Sequence, residues 1–304
     1  MLKSILLLTI GILITPVSVI ATPANSTQNY FKIMLTPSSV KQGESFTIFV
    51  DSVQTLKSLK LKGLDQDLPV YRIWHDDHDH LFRSFIGVPA TKKPGSYKIV
   101  AEAVDINGES LRIYQTLRVQ KANFKVQHIN LPKRKVRLLN VEQLRKEGRL
   151  LGSRLRLKNK RVYFANHFIR PAEGRISSLF GVRRKYNDEA FSSYHKGIDI
   201  ANVTGTPVKA SNGGRVSLAE SMKSNGKIVL INHGHGITTI YSHLNIIKVK
   251  EGQWVKQGQI IGLIGSTGIS SGPHLHFGFS VNNVRVDPEQ WLSKTVTIFY
   301  NSPD

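Results

Sequence analysis

Apolar and polar positions alternate with a period of two in several short runs between residues 30 and 120. Phe46-Thr-Ile-Phe-Val50 follows a Gln42-Gly43 turn, and Tyr97-Lys-Ile-Val-Ala-Glu-Ala-Val104 follows Pro94-Gly95. The run 111–120, LRIYQTLRVQ, follows Asn107-Gly108, a strong hairpin signal between alternating segments. No helical period appears in this stretch. The pattern predicts an all-β sandwich, immunoglobulin-like in outline, over residues 30–120.

Residues 140–156 change period: Leu144, Leu151 and Leu155 share one side of a predicted helix, which Gly148 and Gly152 weaken. From 172 to 292 the strand signals return. KIVLINHG (227–234), GITTIYSHL (236–244), GQIIGLIGSTG (258–268) and PHLHFGFSV (273–281) are β-rich runs separated by Gly turns.

The start of the chain is different again. Lys3 precedes a predominantly apolar stretch of ten residues, Ile5 to Ile14, which Pro16 ends before Val19-Ile20-Ala21. This predicts a secretory signal peptide over 1–21, because the apolar run is short for a membrane span. No later segment is long and apolar enough to cross a membrane.

Length and charge then refine the picture. The 304 residues suggest two domains with connectors. The absence of Cys excludes disulfide scaffolds, cysteine zinc fingers, thiol nucleophiles and iron–sulfur clusters, so any metal site must use His and carboxylates. The net charge is +21, from 42 Lys+Arg against 21 Asp+Glu. Residues 121–185 hold 19 Lys+Arg and 3 Asp+Glu, so 19 − 3 = 16 of those charges sit there. The segment reads either as a solvated basic connector (121–171) or as a patch for an anionic wall polymer or membrane surface. Export argues against nucleic acid as a partner.

The 11 His carry the candidate chemistry. In His195-Lys-Gly-Ile-Asp199 a fully extended chain would separate the ends by about 13 Å, and Gly197 permits a bend that brings them together. In His274-Leu-His276, strand alternation puts both imidazoles on one face and Leu275 and Phe277 on the other. His243 is a third element. Together these offer four His and one Asp. A catalytic zinc takes three protein ligands and keeps a position open, which leaves two residues to handle protons.

The sequence resembles the lysostaphin-type zinc endopeptidases of bacterial peptidoglycan. The matching text is SSLFGVRR (177–184), HKGIDIA (195–201), GTPVKASNGGRV (205–216), NHGHGITTIYSHL (232–244), VKQGQIIGLIGSTGISSGPHLHFGF (255–279) and Asp287-Pro288. The resemblance covers about 172–292 and implies a C-terminal antiparallel-sheet peptidase domain, so the whole chain is expected to be mostly β. It also implies one Zn2+ per chain held by His195, Asp199 and His276, with His243 and His274 as the catalytic pair. A Tyr that stabilises the oxyanion is implied too, with Tyr186 and Tyr194 both open for that role.

The implied activity is hydrolysis of peptide bonds in peptidoglycan, in the periplasm or outside the cell. A rival of another class is a wall-binding or hydrolase-activating module that kept the fold and lost catalysis. The five residues discriminate, since a degenerate relative lacks one or more of them. A zinc protease acting on proteins is a second rival, separable by a digest. His75-Asp-Asp-His-Asp-His80 reads as a polar loop tip of the sandwich, and His233 and His235 as structural residues in a turn.

Overall fold

The computed structural model describes residues 31–73, 80–129, 141–165, 167–186 and 193–293. The predicted signal peptide, most of the His75–His80 run and residues 130–140 of the basic connector lie outside them.

The N-terminal half consists of two sheets facing one core. One is antiparallel, in the order Phe31–Thr36, Ser45–Ser52, Leu81–Gly87, Tyr71–Ile73. The other runs Ser39–Lys41, Ser110–Gln120, Gly95–Asp105, Leu56–Gly63, Gln66–Leu68. Alternation places Phe46, Ile48 and Val50 from one sheet against Leu61, Ile99, Ala101 and Leu117 from the other. The hairpin signal at Asn107-Gly108 holds: Asp105 Oδ1 accepts the backbone N–H groups of Asn107 and Glu109 at 2.9 and 2.8 Å.

The C-terminal half is built on one long antiparallel path. Its order is Arg175–Ser178, Ile198–Ala201, His274–Val281, Ile237–Ile247, Gly226–Gly234, Gly214–Met222, Trp254–Val255. Its central strands read as nearly continuous apolar runs because both faces are covered. On one face Val216, Val229, Ile231, Phe277 and Phe279 join the main core. On the other, Leu218, Ile228, Leu230 and Ile240 pack beneath Leu150, Leu151 and Leu155.

Those three leucines belong to the helix Val141–Leu155, the helix that Leu144, Leu151 and Leu155 predict. This part of the basic connector is therefore docked on the sheet. A second part, Val126–Ile129, runs parallel to Arg183–Tyr186. Near its C-terminal end, Phe164 and Phe168 enter the main core. Arg145, Lys146, Arg149 and Arg156 remain exposed on the side away from the sheet.

The two halves share a seam. Asp287 caps the short helix Pro288–Leu292, whose Trp291 stacks on Phe279 and meets Phe85 of the sandwich at 5.6 Å. Ser45 N and Oγ donate to Gln290 Oε1, and Trp291 Nε1 donates to Ser45 Oγ. Arg83, 1% exposed, reaches His235 Nδ1 at 3.2 Å, and Tyr71 stacks on the same imidazole at 4.1 Å. Burial pushes the Arg83 guanidinium down to about 10.

Candidate active site

Strand register assembles most of the site. Asp199 lies directly opposite His276, and Ala201 opposite His274, across the antiparallel pair Ile198–Ala201 and His274–Val281. Leu275 and Phe277 point into the core, which leaves His274 and His276 together on the other face. His195 precedes the strand and is held by its N–H to Val182 O at 2.8 Å. The bend expected at Gly197 is present, and His195 and Asp199 meet at 2.9 Å. The φ of Gly197 is not in the left-handed region, and what demands glycine is proximity: a Cβ there would lie 2.3 Å from Phe277 O.

His243 arrives by a less regular route. Ser242 is the register partner of His276, so plain alternation would turn His243 to the opposite face. Its φ of +64° breaks that alternation. The ring comes 4.9 Å from that of His274 and 6.1 Å from that of His276. A left-handed histidine is uncommon and persists only when its surroundings over-determine it. Here the backbone N–H donates to Asn225 O at 3.0 Å and the ring Nδ1 to Thr267 O at 2.8 Å.

Backbone carbonyls also settle which nitrogens bear protons. His195 Nδ1 faces Leu179 O, His243 Nδ1 faces Thr267 O and His274 Nδ1 faces Gly272 O, each at 2.8 Å. A carbonyl only accepts, so in the neutral rings Nδ1 carries the proton and Nε2 the lone pair. His195 Nε2, Asp199 Oδ1 and His276 Nδ1 then converge, each 2.9 Å from the other two. At most one proton, that of His276, is shared among these three acceptor atoms. This shortage of donors is what a bound cation relieves, and two imidazoles with one carboxylate are a catalytic zinc donor set. His274 Nε2 stands 3.7 Å from Asp199 Oδ1.

The electrostatics agree. Burial pushes His276 down to about 3. It does the same to His243, to about 3, with His274 adding to the effect, and it lowers His195 as well. These rings are neutral near pH 7 and their lone pairs are available. Burial alone would raise the Asp199 carboxyl, but the contacts from His195 and His276 outweigh it and hold it well below the usual range. Arg184 Nη2, whose role the sequence does not signal, donates to Asp199 Oδ2 and to Ser178 Oγ, leaving Oδ1 to face the imidazoles.

Residues 193–288 match the family model for peptidase family M23. Those residues form an M23 peptidase domain. The DD-carboxypeptidase/endopeptidase Mpg of Neisseria meningitidis serogroup B is 41% identical over 114 residues, 38% of this chain and 26% of that protein. Peptidoglycan DD-endopeptidase ShyC of Vibrio cholerae is 40% identical over 114 residues, with the same two coverages. The chain thus spans about a quarter of the length of these curated relatives. A Pseudomonas aeruginosa crystal structure assigned to peptidase M23 aligns with 83% of this chain and 93% of its own, at a TM-score of 0.59 and 24% identity, a likeness of fold.

Beside the M23 site, the ring of Tyr194 packs edge-on against Phe124 at 5.8 Å. The side chain of Tyr186 is outside the described residues. His233 and His235 are buried away from the five site residues. His233 bonds Gly213 O at 2.6 Å and Thr239 Oγ1 at 2.7 Å, and His235 bonds Lys160 O at 2.6 Å.

Proposed function

We propose that the chain is an exported, zinc-dependent endopeptidase that hydrolyses peptide bonds in bacterial peptidoglycan. The observation that carries this is the convergence of His195 Nε2, Asp199 Oδ1 and His276 Nδ1 beside two further imidazoles, each oriented by a backbone carbonyl at its Nδ1. The names of the M23 relatives support the wall as substrate and point to D,D cross-links as the bonds cut.

Bound by those three atoms, zinc would acidify the attacking water and polarise the scissile carbonyl. Arg184 and Leu179 O orient two of the ligands, at Asp199 Oδ2 and His195 Nδ1. His243 and His274 supply proton transfer. An imidazole that takes the water's proton at Nε2 becomes a donor at that atom and returns the proton to the leaving amine. Its neighbour, whose Nδ1 proton is already given to a backbone carbonyl, stabilises the developing oxyanion when its Nε2 carries a proton. The exposed face of the helix Val141–Leu155, with Arg145, Lys146 and Arg149, is the surface proposed to meet anionic wall polymer or membrane.

The test is a digest of purified sacculi by the zinc-loaded protein, beside a protein substrate, with muropeptides identified by mass spectrometry. Release of cleaved cross-links by the wild type and not by His276→Ala supports the reading. Cleavage of the protein substrate alone refutes it. In the same preparations, binding to sacculi should weaken as salt rises, since exposed charges are screened beyond about 8 Å at physiological ionic strength.

A further inference from the structure

The helix Val141–Leu155 lies outside the M23 match, yet one of its side chains reaches the scaffold of the site. Glu147 is a carboxylate only 5% exposed, pressed against the turn that joins the strands Gly214–Met222 and Gly226–Gly234. Its Oε1 accepts Lys223 N at 2.8 Å and Gln143 Nε2 at 2.7 Å. Its Oε2 accepts Ser224 N at 3.1 Å and the Ser224 hydroxyl. A buried carboxylate is costly unless donors surround it, and here four do.

The far side of that turn holds the candidate catalytic pair. Asn225 O accepts the backbone N–H of His243, and Ser224 O accepts Ile269 N at 2.8 Å. Lys227 N donates to Thr267 Oγ1 at 2.9 Å, and the carbonyl of the same Thr267 fixes His243 Nδ1. The fit leaves no slack, since a Cβ at Gly226 would lie 2.3 Å from Thr267 Oγ1. The loop that follows ends at Gly272, whose carbonyl fixes His274 Nδ1.

We infer that Glu147 is a positioning residue for catalysis: it clamps the Lys223–Asn225 turn and thereby holds His243 in its left-handed conformation at the site. This rests on the reading of His243 as a catalytic group. The connector helix is then a working part of the peptidase, and the M23 segment alone lacks one support of its own active site. The clamp counters a specific weakness, because His243 occupies a backbone well that it would leave if the turn relaxed.

The experiment uses the full zinc-loaded chain and its Glu147→Gln variant, which puts an amide N–H₂ against one pair of donors. Hydrolysis of soluble cross-linked muropeptides is measured in the wild-type and His243→Asn backgrounds. Ser224→Ala, which removes a single donor to the same carboxylate, serves as the milder variant should Glu147→Gln not fold. The expected result is a fall in kcat of about 10- to 10²-fold with zinc retained and KM changed by less than about twofold. No further fall is expected in the His243→Asn background. A kcat equal to wild type with only a lower melting temperature overturns the inference, as does an equal fall in both backgrounds. If the wild type shows no hydrolysis, the peptidase reading fails by itself, and the His243 ring resonances of histidine-labelled protein decide about the clamp. Displacement of those resonances in Glu147→Gln upholds it, and their constancy overturns it.

Discussion

Replacing His243 separates chemistry from folding, provided the replacement respects its backbone. At φ +64° an alanine keeps the unfavourable left-handed conformation and offers nothing to Thr267 O. That carbonyl is left without its 2.8 Å donor, at a cost of about 1–3 kcal/mol. Asparagine tolerates the left-handed region, and its amide can donate to a nearby carbonyl. His243→Asn should therefore stay within about 1 kcal/mol of wild type, and His243→Ala should lose at least about 2. Both should keep zinc, because His243 contributes no atom to the converging triplet. Both lack Nε2, so hydrolysis should fall by at least about 10²-fold, equivalent to about 2.7 kcal/mol of transition-state stabilisation. Zinc content, melting temperature and muropeptide release are read on the same preparations. A folded, zinc-loaded His243→Asn protein with near-normal release would refute the reasoning and leave His274 as the proton carrier.

Arg184→Gln should weaken zinc binding by about 10- to 100-fold in a chelator competition, because Asp199 loses the contact that orients its Oδ2. Unchanged affinity would reduce Arg184 to a packing residue. His233 predicts a pH effect on stability. Burial pushes it down to about 4 from 6.5, so the unfolded chain binds its proton first as pH falls. Stability should then be complete above about pH 6.5 and decline towards pH 4, by about 3 kcal/mol from this residue. Denaturant titrations of wild type and His233→Gln should diverge across that window, and parallel pH profiles would contradict the assignment.

Much of this protein is legible locally. Period-two alternation places Phe46, Ile48 and Val50 in the sandwich core, and Asn107-Gly108 marks its hairpin, because both signals act within a few residues. The leucines of 141–155 announce a helix, and the spacing of His274 and His276 puts two imidazoles on one face before any fold is known. What the sequence conceals is which distant groups meet. Glu147 reads as one more polar residue of a basic helix, and only the crossing of that helix over the sheet brings it to Ser224. Arg184 is one basic residue among many until the packing of its small sheet beside the main one sets it against Asp199. Gly197 announces its bend, but not that the close approach of the Phe277 carbonyl excludes a side chain there. Alternation even sends His243 to the wrong face, since its left-handed φ is imposed by Asn225 and Thr267. Residue type and spacing determine which side chains can bind metal and move protons. Contacts between segments tens of residues apart determine which of them meet, because each such contact depends on how the whole chain packs.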